Sequence, residues 1–421
     1  MASEIHVISK KDLAKHETVS VDLPLSELGP SSVRASSSLL AITSNNLSYA
    51  KLGELLGWWN VWPVPADAPA PYNNRDEWGI VPAWGYGKVL ESNVDAIPVG
   101  SLLYGYWPTS SHPVDLKLEA HDIDGHFREV NEYRQGPGSI YNRYNLVDAS
   151  KQSEDSRAIF ANANPISQAG YVLNRFIFPT EFAPAHPTGA GAGEWTDKQA
   201  DLSSAVLVNL SASSRTGRSV AWNFARNREP NVNGPLALLN ASSRPQCLEP
   251  APEAAFEIRN VAYDSLAARE TVDWIAGFRP RRVVVLDSGG PLQATDRLRD
   301  ALASSLPAST DLTLVLIGGQ PKLQSLEDFQ ADMGLRAKWS FVQLNTTAVM
   351  DTAMAAEGSE AYFRRSEEAF QRAVEEKFLG DTELVWGDKV SGPDGIEGAW
   401  ENIIKGTLAP NKAWVYRLGR A

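Results

Sequence analysis

Cysteine is nearly absent from this 421-residue chain, where Cys247 stands alone. A disulfide needs two thiols and a thiolate zinc cluster needs several, so neither an intrachain disulfide framework nor a Cys-rich zinc site can form. Long apolar runs are missing as well. No stretch approaches the ~18 uninterrupted apolar residues that a membrane-spanning helix requires. Basic charge is in deficit, with 39 Lys plus Arg against 51 Asp plus Glu and a net charge of −12. No basic block compensates, which speaks against nucleic-acid binding. The start, Met1-Ala2-Ser3-Glu4-Ile5, has no basic stretch leading into an apolar one, so a cytoplasmic protein without a secretory leader is expected. On that expectation the Asn-x-Ser/Thr sequons at Asn46, Asn209, Asn240 and Asn345 carry no glycan. The histidines His6, His16, His112, His121, His126 and His186 show no metal-ligand spacing, and no internal repeat is evident.

What is present divides the chain by texture. Residues 1 to about 150 read as short β segments broken by Pro and Gly clusters. Six of the 13 tryptophans (Trp58, Trp59, Trp62, Trp78, Trp84 and Trp107) fall within that region. They suit two readings, large plugs in a β core or the wall of a pocket for a flat substrate. Residues 151 to 180 turn helical, and 184 to 193 form a Gly/Pro-rich surface loop. From about residue 203, continuous apolar runs alternate with helical stretches, as parallel strands buried on both faces do. The runs are 205–210, 236–239, 283–286 and 312–317, with a weaker one at 341–344. An acidic amphipathic helix is expected over 364–378. The alternation predicts an α/β fold with a Rossmann-type doubly wound parallel sheet.

The first of these strands runs into Ser211-Ala212-Ser213-Ser214-Arg215-Thr216-Gly217 and then a helix. A turn of small residues between a strand and a helix N-terminus is where a dinucleotide pyrophosphate sits, because backbone N–H groups and the helix dipole point at it. The glycine fingerprint is incomplete, with only Gly217 kept. The next strand ends at Asn240, Ser242, Ser243 and Arg244, where an NAD enzyme places a carboxylate for the ribose hydroxyls. A guanidinium and two hydroxyls suit a 2′-phosphate instead, so NADPH is expected over NADH. Ser288-Gly289 and Gly318-Gly319 follow later strands and leave room for a cofactor across the sheet edge.

These residues resemble the medium-chain dehydrogenase/reductase superfamily over most of the chain. The likeness begins at Ala41-Ile42-Thr43-Ser44-Asn45-Asn46-Leu47-Ser48-Tyr49-Ala50 and continues through 81–89 and 100–106. It closes over 395–400 and 414–418. The nearest likeness is to a divergent, zinc-free quinone-oxidoreductase and enoyl-reductase branch, of mostly unassigned function. The resemblance implies a β-rich GroES-like catalytic domain formed from 1–165 and 386–421, around a dinucleotide-binding domain at 166–385. It also implies a homodimer. Where zinc members carry Gly-His-Glu, this chain has Pro82, Ala83 and Trp84, so a metal-free site is expected. The segment at 41–50 is the one that faces the nicotinamide in the family, which makes Tyr49 the first candidate to hold a substrate oxyanion, with Asn45 and Asn46 as orienting groups. Tyr141 and Tyr144 are candidates from a second polar-aromatic cluster, and Lys322 is a weaker one. The expected activity is NADPH-dependent reduction of an activated C=C or C=O bond in a small molecule such as an enone, a quinone or a polyketide-like carbonyl compound. A non-redox enzyme of secondary metabolism and an NADPH-binding sensor are the alternatives.

Overall fold

The computed structural model describes residues 3–249, 253–320, 323 and 326–419. Lys322 lies outside the described residues. The chain forms two units. One comprises Met1–Pro165, Pro321–Leu323 and Thr382–Ala421, and the other Ile166–Gln320 and Gln324–Asp381.

The first unit is mostly antiparallel β structure. Strands β1 (Ser3–Ser9) and β2 (His16–Val21) make a hairpin that β4 (Trp78–Gly79) extends, giving the sheet order β2-β1-β4. Strand β3 (Ser32–Ile42) is followed by helix α1 (Asn45–Lys51), and then come β5 (Pro82–Ser92), β6 (Leu102–Pro108), β7 (Val114–Ala120), β8 (His126–Glu129) and β9 (Arg143–Val147). They pair in the order β3-β5-β6-β9-β8-β7, and β7 pairs back onto β3, so the sheet closes into a barrel with no free edge among those strands. Helix α2 (Glu154–Val172) contains Pro165 and widens into a π turn over Leu173–Ile177. The chain passes from the first unit to the second within α2.

In the second unit the short helix α3 (Asp197–Ala200) leads to β10 (Ala205–Leu210), α4 (Arg215–Arg226), β11 (Ala237–Ser242), β12 (Glu257–Ala262) and α5 (Arg269–Gly277). Strand β13 (Arg282–Ser288), α6 (Leu292–Ser305), β14 (Asp311–Gly318), α7 (Leu326–Arg336), β15 (Ser340–Gln343), α8 (Thr346–Glu357) and α9 (Ser359–Glu375) complete it. All six strands are parallel, in the order β12-β11-β10-β13-β14-β15. Counted from β10, that is 3-2-1-4-5-6, the Rossmann order, whose switch point lies between β10 and β13. Val206, Val208, Val283 and Val285 in the central strands are fully buried. Each such side chain contributes about 1.5–3 kcal/mol. The chain then returns to the first unit, where β16 (Glu383–Gly387), α10 (Ile396–Ile404) and β17 (Lys412–Arg417) follow, and β17 pairs with β3.

Every apolar run read from the sequence is a strand of the parallel sheet. The sixth strand, β12, had no such run: Glu257, Ile258, Arg259 and Asn260 sit at the sheet edge and remain half-buried or exposed. The amphipathic helix starts earlier than expected, at Ser359, and ends at Glu375. Among the described residues no helix is long and apolar enough to cross a membrane. Three of the sequon asparagines are buried, and the fourth, Asn345, caps α8 by accepting from Ala348 N–H at 3.1 Å.

One histidine makes stability depend on pH. His6 on β1 is buried, lies 3.1 Å from His16 between ring nitrogens, and meets Trp400 edge-on. Burial, with His16 adding to it, pushes its pKa from 6.5 down to about 3. The folded protein therefore binds this proton less readily than the unfolded chain does, so the stabilisation is complete above 6.5 and is lost as pH falls toward about 3. Between about pH 7 and about pH 5 this amounts to about 2 kcal/mol. Thermal melts of His6→Leu are expected to show a smaller acid-induced drop than the wild type over that range. Equal drops would remove His6 as the cause.

Candidate functional site

Two clusters of candidate residues form, one in each unit. In the first unit, α1 follows directly on β3, and Thr43 turns the chain. Asn46 Oδ1 accepts from Thr43 N–H at 2.8 Å, and Asn46 Nδ2 donates to Pro82 O at 2.8 Å. Both ends of the Asn46 amide are thus committed to backbone, which makes it the brace of the turn. Asn45, one residue earlier, donates from Nδ2 to the Tyr49 hydroxyl at 2.7 Å, and Trp84 Nε1 donates to the same oxygen at 3.0 Å. The Tyr49 ring is enclosed by Trp58, Tyr106 and Tyr141, with centroids 4.8, 5.1 and 6.1 Å away. Tyr141 also packs on Trp84 and Trp58. Burial, reinforced by Tyr141, pushes the Tyr49 pKa well above its ordinary value. Burial outweighs the hydrogen bonds from Trp84, Asn45 and Tyr106, which pull the pKa down, so Tyr49 stays protonated; with N–H donors on its oxygen, it has its own proton to offer. It is built as a hydrogen-bond donor.

Tyr144 is placed differently. It is fully buried, its hydroxyl donates to Tyr106 O at 2.7 Å, and it accepts from Arg134 at 3.1 Å. Its pKa is pushed up to about 12 by burial. That hydroxyl serves the barrel core, where Arg134 also lies over the Trp62 ring. The tryptophans picked out in the sequence pack in or against the barrel core. Trp58 and Trp84 surround Tyr49, whereas Trp62 stacks on Trp107, and Trp59 fills the space left by Gly53 and Gly79.

In the second unit the phosphate-type turn begins at Ser211, whose φ is +56°. Its N–H and hydroxyl both engage the Tyr263 hydroxyl, at 2.8 and 3.2 Å, a residue the sequence reading missed. Ala212 N–H donates to Ala241 O, and Ser214 caps α4 by accepting from Gly217 N–H at 3.0 Å. Gly217 is required by packing. A Cβ there would lie 2.4 Å from Ser211 O and 2.6 Å from Ala212 Cα, so only glycine lets the helix start this close to the strand. Thr216 is half-buried, while Arg215 is buried, which lowers its pKa to about 10.

Asn240 does not lie free at the turn. Asn209 Nδ2 donates to Asn240 Oδ1 at 2.9 Å and Asn240 Nδ2 to Asn260 Oδ1 at 3.0 Å, a ladder across β10, β11 and β12. Asn209 also reaches Gly217 O at 2.9 Å and ties the helix start to the sheet. Ser242 donates to Ser213 at 2.6 Å and accepts from Arg244 N–H at 3.0 Å, which joins the turn to the end of β11, while Ser243 is exposed. Arg244 Nη1 lies 3.7 Å from Asp381, and its Nε and Nη2 are buried with no hydrogen-bond partner. Arg218 adds a second guanidinium here, bonded to Asp381 at 2.7 Å. On β13, Ser288 donates to Leu210 O at 3.1 Å. Gly289 (φ +103°) and Gly290 donate to buried Asp287 at 2.9 and 2.7 Å. A Cβ on Gly318 or Gly319 would meet nothing within 4 Å. The open space at those glycines, the helix N-terminus at Ser214 and the unpartnered Arg244 donors fit a phosphorylated dinucleotide. Among the described residues no group of three or more His, Cys, Asp and Glu is placed to hold a metal ion.

A family described as "Protein of unknown function (DUF2855)" matches residues 40–409. The chain belongs to DUF2855. No curated protein matches it in sequence. Among solved structures, CurA from Vibrio vulnificus in complex with NADPH aligns with a TM-score of 0.52 at 9% identity, over 99% of this chain and 100% of that one. The Etr1p/NADP/crotonyl-CoA complex gives 0.53 at 12% identity, over 99% and 100%. The CurF ER cyclopropanase from the curacin A biosynthetic pathway gives 0.51 at 12%, over 99% of each chain. At these identities the likeness concerns the fold. This DUF2855 chain has the medium-chain dehydrogenase/reductase fold, with a six-stranded Rossmann-type parallel sheet and an antiparallel β-barrel.

Proposed function

We propose that the protein is a zinc-independent, NADPH-dependent reductase of an activated C=C or C=O bond in a small molecule. The observation that carries this reading is the end of β11. The strand end over Asn240 to Arg244 carries no carboxylate of its own to accept ribose hydroxyl bonds, and Arg244 instead holds two buried, unpartnered N–H donors beside Ser242 and Ser213. A 2′-phosphate would satisfy those donors, while an unphosphorylated ribose would leave them bare. Neighbours of the same fold crystallised with NADPH and with NADP and crotonyl-CoA lend further support.

When bound, NADPH supplies the hydride. The chain's own residues do the rest. The turn at 211–217 and the start of α4 receive the pyrophosphate, and Arg244 receives the 2′-phosphate. Tyr49 donates a hydrogen bond to the carbonyl oxygen as negative charge builds on it, and the proton that completes the reduction comes from water. Asn45 and Trp84 hold the phenol in place and, by donating to its oxygen, strengthen the hydrogen bond it gives.

The test is NADPH consumption across enones, quinones and aldehydes, with Tyr49→Phe alongside the wild type. Turnover of at least one conjugated carbonyl class is expected, falling about 100-fold in Tyr49→Phe with NADPH affinity unchanged. NADPH bound but consumed with no member of the panel would contradict the reductase reading. Full activity in Tyr49→Phe would remove Tyr49 from the chemistry.

A further inference from the structure

The two guanidiniums beside the phosphate-type turn already hold an anion, and it belongs to the chain. Arg218 projects from the first turn of α4 and is buried. Its Nε donates to Ser213 O at 3.2 Å and its Nη2 to Asp381 Oδ1 at 2.7 Å. Arg244 reaches the other oxygen of the same carboxylate, Oδ2, at 3.7 Å. The approach is built into the backbone. Gly380 has φ +58°, and a Cβ on it would lie 2.1 Å from Arg218 Nη1, so the glycine lets the chain lie flat against the guanidinium and deliver Asp381 to it. Burial pulls the Arg218 pKa down and Asp381 opposes that pull, while Arg244 adds like-charge repulsion.

One carboxylate is an incomplete partner for this pair. It offers two oxygens and a single charge, and Arg244 Nε and Nη2 remain without acceptors. A phosphate monoester brings three oxygens and a charge of about −1.5 to −2 near neutral pH. It cannot share the two guanidiniums with Asp381 without like-charge repulsion. Asp381 can leave, because 40% of its side chain is exposed, whereas only 7% of the Arg218 side chain is.

We propose that Asp381 is an internal stand-in for the 2′-phosphate, that it pairs with Arg218 and Arg244 until the cofactor displaces it, and that Arg218 is the second cation that selects NADPH. This rests on the NADPH reading above. Asp381 lowers the affinity for the phosphorylated cofactor and leaves NADH untouched, since NADH carries no group that competes for the arginines. It also keeps two neighbouring cations from facing each other unpaired in the ligand-free protein.

The experiment is calorimetric titration of NADPH, NADH and 2′,5′-ADP into wild type, Asp381→Asn and Arg218→Met, with a thermal melt of each ligand-free protein. Asp381→Asn is expected to bind NADPH and 2′,5′-ADP about 3- to 30-fold more tightly, with NADH unchanged and a lower ligand-free melting temperature. Arg218→Met is expected to lose about tenfold or more in NADPH affinity alone. Should Asp381→Asn fail to fold, Asp381→Ser reports the same change. Unchanged or weaker NADPH binding in the Asp381 variant, with wild type still binding NADPH, would overturn the stand-in alone and make Asp381 a brace for the arginines. An equal gain for NADH would overturn it as well. Absence of NADPH and 2′,5′-ADP binding in every variant would instead overturn the NADPH reading itself.

Discussion

Gly217→Val is expected to lower the melting temperature by about 6–12 °C, a loss of about 3 kcal/mol, and to abolish NADPH binding. The atoms that a Cβ at this position would strike are Ser211 O, Ser211 C and Ala212 Cα, all backbone, so no side-chain rotation relieves the contact. The start of α4 has to move off the end of β10. That shift breaks the bond from Asn209 to Gly217 O and pulls the Ser214 cap away from Gly217 N–H, which together shape the turn. Gly319→Ala is the control, because a Cβ there meets open space and stability should change by less than about 0.5 kcal/mol. Loss of NADPH affinity in that variant would then report contact with the ligand and not a damaged fold. A Gly217→Val protein that melts and binds like the wild type would contradict the packing argument.

Arg134→Met is expected to destabilise the first unit by about 3–5 kcal/mol. Arg134 and Glu129 are both fully buried, with Nε and Oε2 3.3 Å apart, close enough for ion pairing but not aligned as a hydrogen bond. Glu129 Oε1 is served by Lys117 N–H, Asn131 N–H and the Asn131 amide, so the carboxylate is fixed in place and cannot follow water once its partner is gone. Removing the guanidinium leaves a buried charge uncompensated. The double variant Glu129→Gln with Arg134→Met should recover a large part of the loss, because it removes both charges. Arg134 also donates to Tyr141 O at 3.1 Å, so the single variant should loosen the ring that packs on Tyr49. Chemical denaturation of the two variants checks this. Equal destabilisation in both would show that the arginine matters through packing on Trp62 and Tyr144 and not through its charge.

The parallel sheet was legible because its inner strands are buried on both faces and therefore read as unbroken apolar runs. Strand β12 was not, since an edge strand needs apolar residues on neither face throughout, and Arg259 and Asn260 look like loop residues in isolation. At the candidate site, the family resemblance pointed to Tyr49 with Asn45, which are one helical turn apart, and the strand–turn–helix pattern pointed to Ser211 to Gly217, which form one turn. Asn46 was expected as an orienting group and Asn240 as a cofactor contact, and their amides go to the backbone and to the sheet ladder. A side chain's partner across a sheet is invisible to a linear reading. The same limit hid Tyr263, 52 residues from Ser211, and Asp381, 163 residues from Arg218. Only the fold brings those pairs within hydrogen-bond reach.

The most direct measurement of the central claim is the binding of NADPH and NADH to the wild type and to Arg244→Ala, by titration at fixed salt. The account predicts that the wild type binds NADPH about tenfold or more tightly than NADH, and that Arg244→Ala loses most of that preference while its NADH affinity holds. Equal affinities in the wild type, or a preference unchanged in Arg244→Ala, would contradict it.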